Sequence, residues 1–279
     1  MMDDLSSAVR QHYEAGSVEA LLAKVAHAVA ALEPGPVTAA QLADLDQFHV
    51  GGLAATAELA ALAGVRPGLD VLDAGSGLGG PSRYLAGTHG CSVVGLDLAP
   101  SFVAAAELLA GRAGLGDRAR YEVGDLTRLP FGDGSFDLVW TQHAVMNIRD
   151  REQVYREFRR VLRPAGRLAF HDVLAGEGQP GPHFPVPWAK GVGTSYLLTE
   201  PETIQVLARA GFQPGIWKNV TAEAVAAFGQ QRPPPAPGQG LATVMGPRFM
   251  GMAANLARSI REGRVRLVMG VCQQWPPAP

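Results

Sequence analysis

The amino-acid sequence predicts a doubly wound α/β fold with a mainly parallel, seven-stranded sheet, and three observations carry that expectation. Short apolar runs bounded by Gly, Pro or Asp alternate with amphipathic helical segments from Leu69 onward. A glycine-rich turn, VLDAGSGLGG (Val71–Gly80), stands where the first run passes into a helix. An acid, Asp97, ends the second run about twenty residues beyond the glycines.

Taken in order, residues 18–32 place Leu21, Leu22, Val25, Val29 and Leu32 on one helical face, and Pro34, Gly35 and Pro36 end that helix. It reads as part of an N-terminal helical cap over residues 1–50, with a second helix at Gly52–Ala63. Strands are expected at Leu69–Ala74, Ser92–Leu98, Ala119–Val123, Phe136–Thr141 and Arg167–Val173, with helices at Ser101–Ala113 and Arg151–Leu162 between them. Crossovers of this kind are right-handed and cover both faces of a parallel sheet. After a helix near Pro201–Ala210 come two terminal strands, Phe212–Val220 and Val265–Gln273. A helical insertion over 221–262 separates them, holding a stiff Pro-rich run (Arg232–Pro237) and a helix with Phe249, Met252, Ala253, Leu256 and Ile260 in register. Residues 51–279 read as one domain following the cap.

Composition narrows the function. The 279 residues are 47% hydrophobic and 18% charged, as in an ordered globular protein. A net charge of −2 lacks the basic excess that phosphate-backbone binding needs, so no nucleic-acid partner is expected. Arg156, Arg159, Arg160 and Arg163 interleave with Glu152 and Glu157, the pattern of a solvated helix face. Cys91 and Cys272 lie in apolar runs and read as reduced, buried thiols of a cytoplasmic protein. MMDDLSSAVR has no basic start followed by an apolar stretch, and no long apolar run follows, so no membrane partner is expected. The seven histidines form no H-E-x-x-H or Cys/His pattern, and no metal site is expected.

Gly75, Gly77 and Gly80 satisfy G-x-G-x-x-G, a spacing that a tightly packed turn shares. Asp97 is placed to accept both ribose hydroxyls of an adenosine, and equally to cap the helix that starts at Pro100. Both features suit a nicotinamide dinucleotide as well as S-adenosylmethionine. Asp73, directly before the turn, suits a ligand ammonium and would repel a pyrophosphate, which favours an amino-acid-bearing cofactor.

Four blocks in order, VLDAGSGLGG, VVGLDLAP, GDLTRLPFGDGSFDLVW and EFRRVLRPAGRLAF, resemble the class I S-adenosylmethionine-dependent methyltransferases over residues 50–220. The resemblance implies the Rossmann-like methyltransferase fold with an antiparallel last strand, and S-adenosyl-L-methionine as cofactor. It places Asp73, Gly75, Ser76, Gly77 and Gly79 around the methionine part, Asp97 and Leu98 at the ribose and adenine, and Asp125 and Leu126 at the adenine edge. Asp125 also reads as a turn residue after the third strand. Within the superfamily, FHVGG (Phe48–Gly52), TQHAVMNI (Thr141–Ile148) and PVPWA (Pro185–Ala189) are most similar to the sarcosine/dimethylglycine methyltransferase-like group. Such relatives methylate amines, phenols and carbon nucleophiles, which implies a small-molecule methyl acceptor. The N-P-P-Y segment expected of nucleic-acid amino-methyltransferases is replaced by TQHA.

Ligands of a parallel sheet sit at its carboxyl ends, so the loop after the fourth strand faces the transferred methyl. Gln142 is assigned to the cofactor wall, His143 is the candidate base or acceptor contact, and Asn147 lies beside it. A plain hydrogen bond to nearby backbone explains His143 equally well. His49, His171, Trp188 and Tyr196 complete the candidate acceptor residues, with Phe184 and the Met- and Phe-rich stretch Met245–Met252 as a lid and Arg248 as a carboxylate clamp. A nicotinamide-dependent oxidoreductase and a catalytically silent scaffold are the competing readings.

Overall fold

Val71 and Leu72, adjacent in strand β1 (Asp70–Ala74), are fully buried on opposite faces of one sheet, each inside a separate hydrophobic cluster. This is the signature of a strand covered on both sides, and it explains why the strand sequences read as continuous apolar runs. In the computed structural model the described residues are 17–32, 35–229, 238 and 240–275; MMDDLSSAVR, Pro34 and the Pro-rich run 232–237 lie outside them.

The sheet continues through β2 (Ser92–Asp97), β3 (Ala119–Val123), β4 (Phe136–Gln142), β5 (Leu162–Ala175), β6 (Phe212–Asn219) and β7 (Val265–Gln274). Its order is β3-β2-β1-β4-β5-β7-β6, with β7 antiparallel to both neighbours and the remaining pairs parallel. The order reverses between β1 and β4, which opens a crevice at their carboxyl ends. Strand β5 begins five residues earlier than the apolar run suggests, because Leu162 pairs with Phe136 across a register shift in β4.

Helices α1 (Val18–Ala30), α2 (Ala39–Asp46) and α3 (Gly52–Leu62) precede the sheet, and α4 (Gly80–His89) and α5 (Pro100–Arg112) follow β1 and β2. Helices α6 (Arg151–Val161) and α7 (Glu200–Arg209) cover the other face through Phe158 and Leu207, packed with Leu72, Val139 and Phe170. Helices α8 (Thr221–Gly229), α9 (Leu241–Met245) and α10 (Phe249–Arg261) lie between β6 and β7. Leu256 and Ile260 of α10 join the first face, while Val244 of α9 joins the cap cluster with Val25 and Val29. Arg156 of α6 and Arg209 of α7 pair with Glu152, and Arg160 of α6 pairs with Glu157 and Asp133.

Helix α2 positions part of the site and is held by a capping box. Thr38 Oγ1 accepts the Gln41 N–H at 3.3 Å while Gln41 Oε1 accepts the Thr38 N–H at 2.9 Å. Its last residue, Asp46, makes a buried ion pair with Arg83 of α4 at 2.6 Å, which ties the cap to the glycine turn. Thr38→Ala is expected to lower stability by about 1 kcal/mol, read as an unchanged denaturant slope with a lower midpoint.

Candidate active site

A cavity of about 560 Å³ opens at the carboxyl ends of β1, β2 and β4, within the usual range for small-molecule sites. Its walls bring together Asp73, Gly75, Ser76, Gly77, Asp97, Leu98, Asp125, Leu126 and Gln142 on one side. His49, His143, Asn147 and Trp188 line it as well. Gly79, His171 and Tyr196 stand off its wall.

The turn after β1 takes its shape from glycine. Gly75, Gly77 and Gly79 all have positive φ (81°, 53° and 75°), and a side chain at Gly75 would meet the Ala144 methyl. Gly79 serves packing: the Tyr121 ring fills the space a Cβ would take. Asp97 fastens the turn from β2, its Oδ2 accepting the Gly77 N–H at 2.8 Å and its Oδ1 the Ala99 N–H at 3.0 Å. The carboxylate therefore shapes the glycine turn and the entry to α5 at once, and each oxygen keeps acceptor capacity toward the cavity. Asp125 Oδ1 accepts from both the backbone N–H and the hydroxyl of Thr127, at 2.8 and 2.7 Å, closing its own turn.

Asp73 is almost fully buried and accepts one hydrogen bond, from the Ser82 hydroxyl at 2.5 Å. Burial pushes its carboxyl up to about 7 against that donor, with the Asp97 charge adding to the rise. Burial also raises Asp97. Neither carboxylate has an ion-pair partner among the described residues, and the Ser76 hydroxyl beside them is buried without a hydrogen bond. The wall is prepared for a cation that also accepts and donates hydrogen bonds.

At the other end three histidines meet. The His143 and His171 ring centroids are 4.6 Å apart, and His49 lies 6.1 and 5.8 Å from them. His143 has φ of 49°, the one positive value at a non-glycine among the described residues, where β4 breaks into the loop. Its backbone N–H donates to the His171 carbonyl at 2.8 Å, while its ring Nε2 is buried without a partner, as are both ring nitrogens of His171. Burial holds both imidazoles well below their ordinary pKa, so they are neutral at pH 7.

His49 Nε2 lies 3.0 Å from the Gly52 carbonyl oxygen, a contact that requires the ring proton on Nε2 and leaves the lone pair on Nδ1. Burial pushes His49 down to about 4. Thr56 Oγ1 joins His49 Nε2 at 3.0 Å, Gln47 Oε1 at 3.0 Å and Gln142 Oε1 at 3.2 Å, binding the cap loop to the end of β4. Gln142 Oε1 also accepts from Trp140 Nε1 at 2.9 Å, which fixes its amide.

Asn147 spends its amide on structure, donating to the Trp188 and Thr194 carbonyls at 2.8 Å each and tying both to the loop after β4. Tyr196 donates its hydroxyl to the Gly193 carbonyl and carries the Arg149 guanidinium 5.2 Å over its ring. Arg248 is exposed and does not line the cavity, whereas Met245, Phe249 and Leu256 of the insertion do. Sequence reasoning missed Asp46, Thr56, Arg149 and Asp150. The T-x-x-Q capping box at Thr38 was the available signal for the helix that delivers Asp46.

A family profile described as a methyltransferase domain matches residues 72–170. Sterol 24-C-methyltransferase ERG6B of Gibberella zeae is 39% identical over 111 residues, 40% of this chain and 29% of that protein. The chain spans 29 to 47% of the length of the first curated relatives it matches. Among solved structures, geranyl diphosphate C-methyltransferase from Streptomyces coelicolor superposes with a TM-score of 0.69 at 17% identity, covering 97% of this chain and 98% of that one. A structure titled as a sarcosine dimethylglycine methyltransferase from Galdieria sulphuraria superposes with a TM-score of 0.59 at 21% identity, covering 79% and 84%. The strand order, the antiparallel β7 and the aspartate-flanked glycine turn agree with these matches, and residues 72–170 of the chain form a methyltransferase domain.

Proposed function

We propose that the chain transfers a methyl group from S-adenosyl-L-methionine to a small-molecule acceptor held against the histidine cluster. The observation that carries this is a pair of carboxylates, buried Asp73 and half-buried Asp97, flanking a glycine turn without an ion-pair partner among the described residues. They suit an ammonium and ribose hydroxyls, and they would repel the pyrophosphate of a nicotinamide dinucleotide. Bound there, S-adenosylmethionine supplies an electrophilic methyl on a positively charged sulfur.

The chain's own work is then placement. Asp73 and Ser76 receive the amino-acid end, Asp97 holds the ribose, and Asp125 and Leu126 border the adenine edge. Phe48 and the insertion exclude water from above. Neutral His143 keeps positive charge away from the sulfur and takes a proton from a protic acceptor. Residues 1–50 act as the cap, and 51–279 as the methyltransferase domain with its insertion at 221–262. No helix among the described residues is long and apolar enough to cross a membrane. Together with two buried free thiols, that supports a cytoplasmic enzyme. The near-neutral charge supports a small-molecule acceptor over nucleic acid.

The test is calorimetry with S-adenosylhomocysteine and with NAD, followed by label transfer from S-adenosylmethionine to amines, phenols and prenyl alcohols. Binding of NAD alone overturns the assignment.

Asp73 adds a pH signature. With its pKa near 7 in the free protein, a bound ammonium favours the carboxylate, so binding expels a proton below that pH. Affinity for S-adenosylhomocysteine is expected to rise from pH 5 to 7, by up to about tenfold per unit, and to level off above. Titrations in buffers of different ionisation enthalpy should register proton release at pH 6, and Asp73→Asn should remove it. A flat profile would show that Asp73 does not face the ligand's charge.

A further inference from the structure

The cavity's two ends differ in charge. Asp73, Asp97 and Asp125 line the cofactor wall, whereas Met146, Ile148, Trp188, Met245, Phe249 and Leu256 supply the apolar part of the lining. Arg149 is the one Lys or Arg among the described residues that line it, and its guanidinium lies over the Tyr196 ring. At the inner end, His143 Nε2 and Gln142 Nε2 are buried polar atoms without hydrogen-bond partners. Buried groups of this kind call for a partner that arrives with the ligand.

Resting on the methyltransferase reading, we propose that the acceptor is an uncharged, largely apolar molecule that presents one hydroxyl to His143 between the insertion and the segment carrying Trp188. Arg149, the one Lys or Arg among the described lining residues, holds its guanidinium over the Tyr196 ring, so a carboxylate or phosphate on the acceptor finds no other cation there, and a charge buried without a partner is strongly disfavoured. An ammonium brings a second positive charge toward the sulfonium and has no lone pair to attack with. A hydroxyl donates one hydrogen bond and accepts others, which matches a neutral imidazole with one donor and one acceptor nitrogen. In the transfer, an acceptor oxygen lone pair forms the O–CH3 bond as the carbon–sulfur bond breaks. The electron pair of that bond stays with sulfur, and the hydroxyl proton passes to the unprotonated ring nitrogen of His143. His171, buried behind it, and His49, with its lone pair on Nδ1, border the same end.

The experiment is calorimetry on the full chain, first with S-adenosylhomocysteine and then, on the loaded protein, with matched probes on two skeletons. These are hexylphenol, hexylbenzylamine and hexylbenzoate, and decanol, decylamine and decanoate. The hydroxyl member of a skeleton is expected to bind about tenfold more tightly than its charged counterparts. His143→Phe should lower that affinity about tenfold while leaving S-adenosylhomocysteine binding unchanged. Equal or tighter binding of an amine or carboxylate overturns the proposal, as does loaded protein that takes up neither hydroxyl probe. A chain that fails to bind S-adenosylhomocysteine refutes the methyltransferase reading itself, and the first titration reports that separately. The ranking is measured on the unaltered protein, so it stands even if His143→Phe misfolds.

Discussion

Asp97→Ala is expected to weaken S-adenosylhomocysteine binding by at least about a hundredfold while the chain stays folded. The carboxylate accepts two backbone N–H groups, from Gly77 and Ala99, so its loss leaves both donors unpaired and lets the glycine turn relax. Hydrogen bonds to a charged group contribute roughly 1.5–3 kcal/mol each, and losing the ribose contact adds to the deficit. Asp97→Asn separates the two roles: its amide oxygen can hold one N–H, but its NH2 meets the other donor head-on, so only part of the affinity should return. Calorimetry gives the affinities, and circular dichroism of the unliganded variants checks the fold. If Asp97→Ala bound within a few-fold of the parent, the ribose would have to lie elsewhere.

The same residue illustrates what a sequence discloses. Its distance from the glycines and its place at the end of an apolar run were enough to put it at the crevice, because strand ends and glycine turns are local features. The central strands were legible for a related reason: residues such as Val71, Leu72, Leu138 and Val139 are buried on both faces and leave uninterrupted apolar runs. Helix α2 was not, since eight residues with only Leu42, Leu45 and Asp46 buried carry little periodicity. The Asp46–Arg83 pair and the Thr56 junction depend on contacts between distant segments that no local pattern records. Asn147 and Tyr196 show the opposite limit. Their residue types suggested acceptor contacts, yet backbone carbonyls take up their polar groups.

His143→Ala is expected to cut turnover about a hundredfold or more while S-adenosylhomocysteine affinity stays within about twofold. The ring stands just past β4 on a backbone of positive φ, and burial, with His171 and His49 beside it, keeps it unprotonated at neutral pH, so one ring nitrogen is free to take the acceptor's proton as the methyl transfers. It makes no ring hydrogen bond whose loss would loosen the glycine turn, which is why affinity and turnover should separate. Alanine at a φ of 49° is strained by about 1 kcal/mol, so His143→Asn is the companion variant, since asparagine tolerates that conformation. The amide introduced by His143→Asn can hold the acceptor but cannot take a proton at neutral pH, so this variant should retain acceptor binding and still lose turnover. Recovery of full turnover by His143→Asn would reduce the histidine to a positioning residue, and undiminished turnover in both variants would leave the proton to solvent.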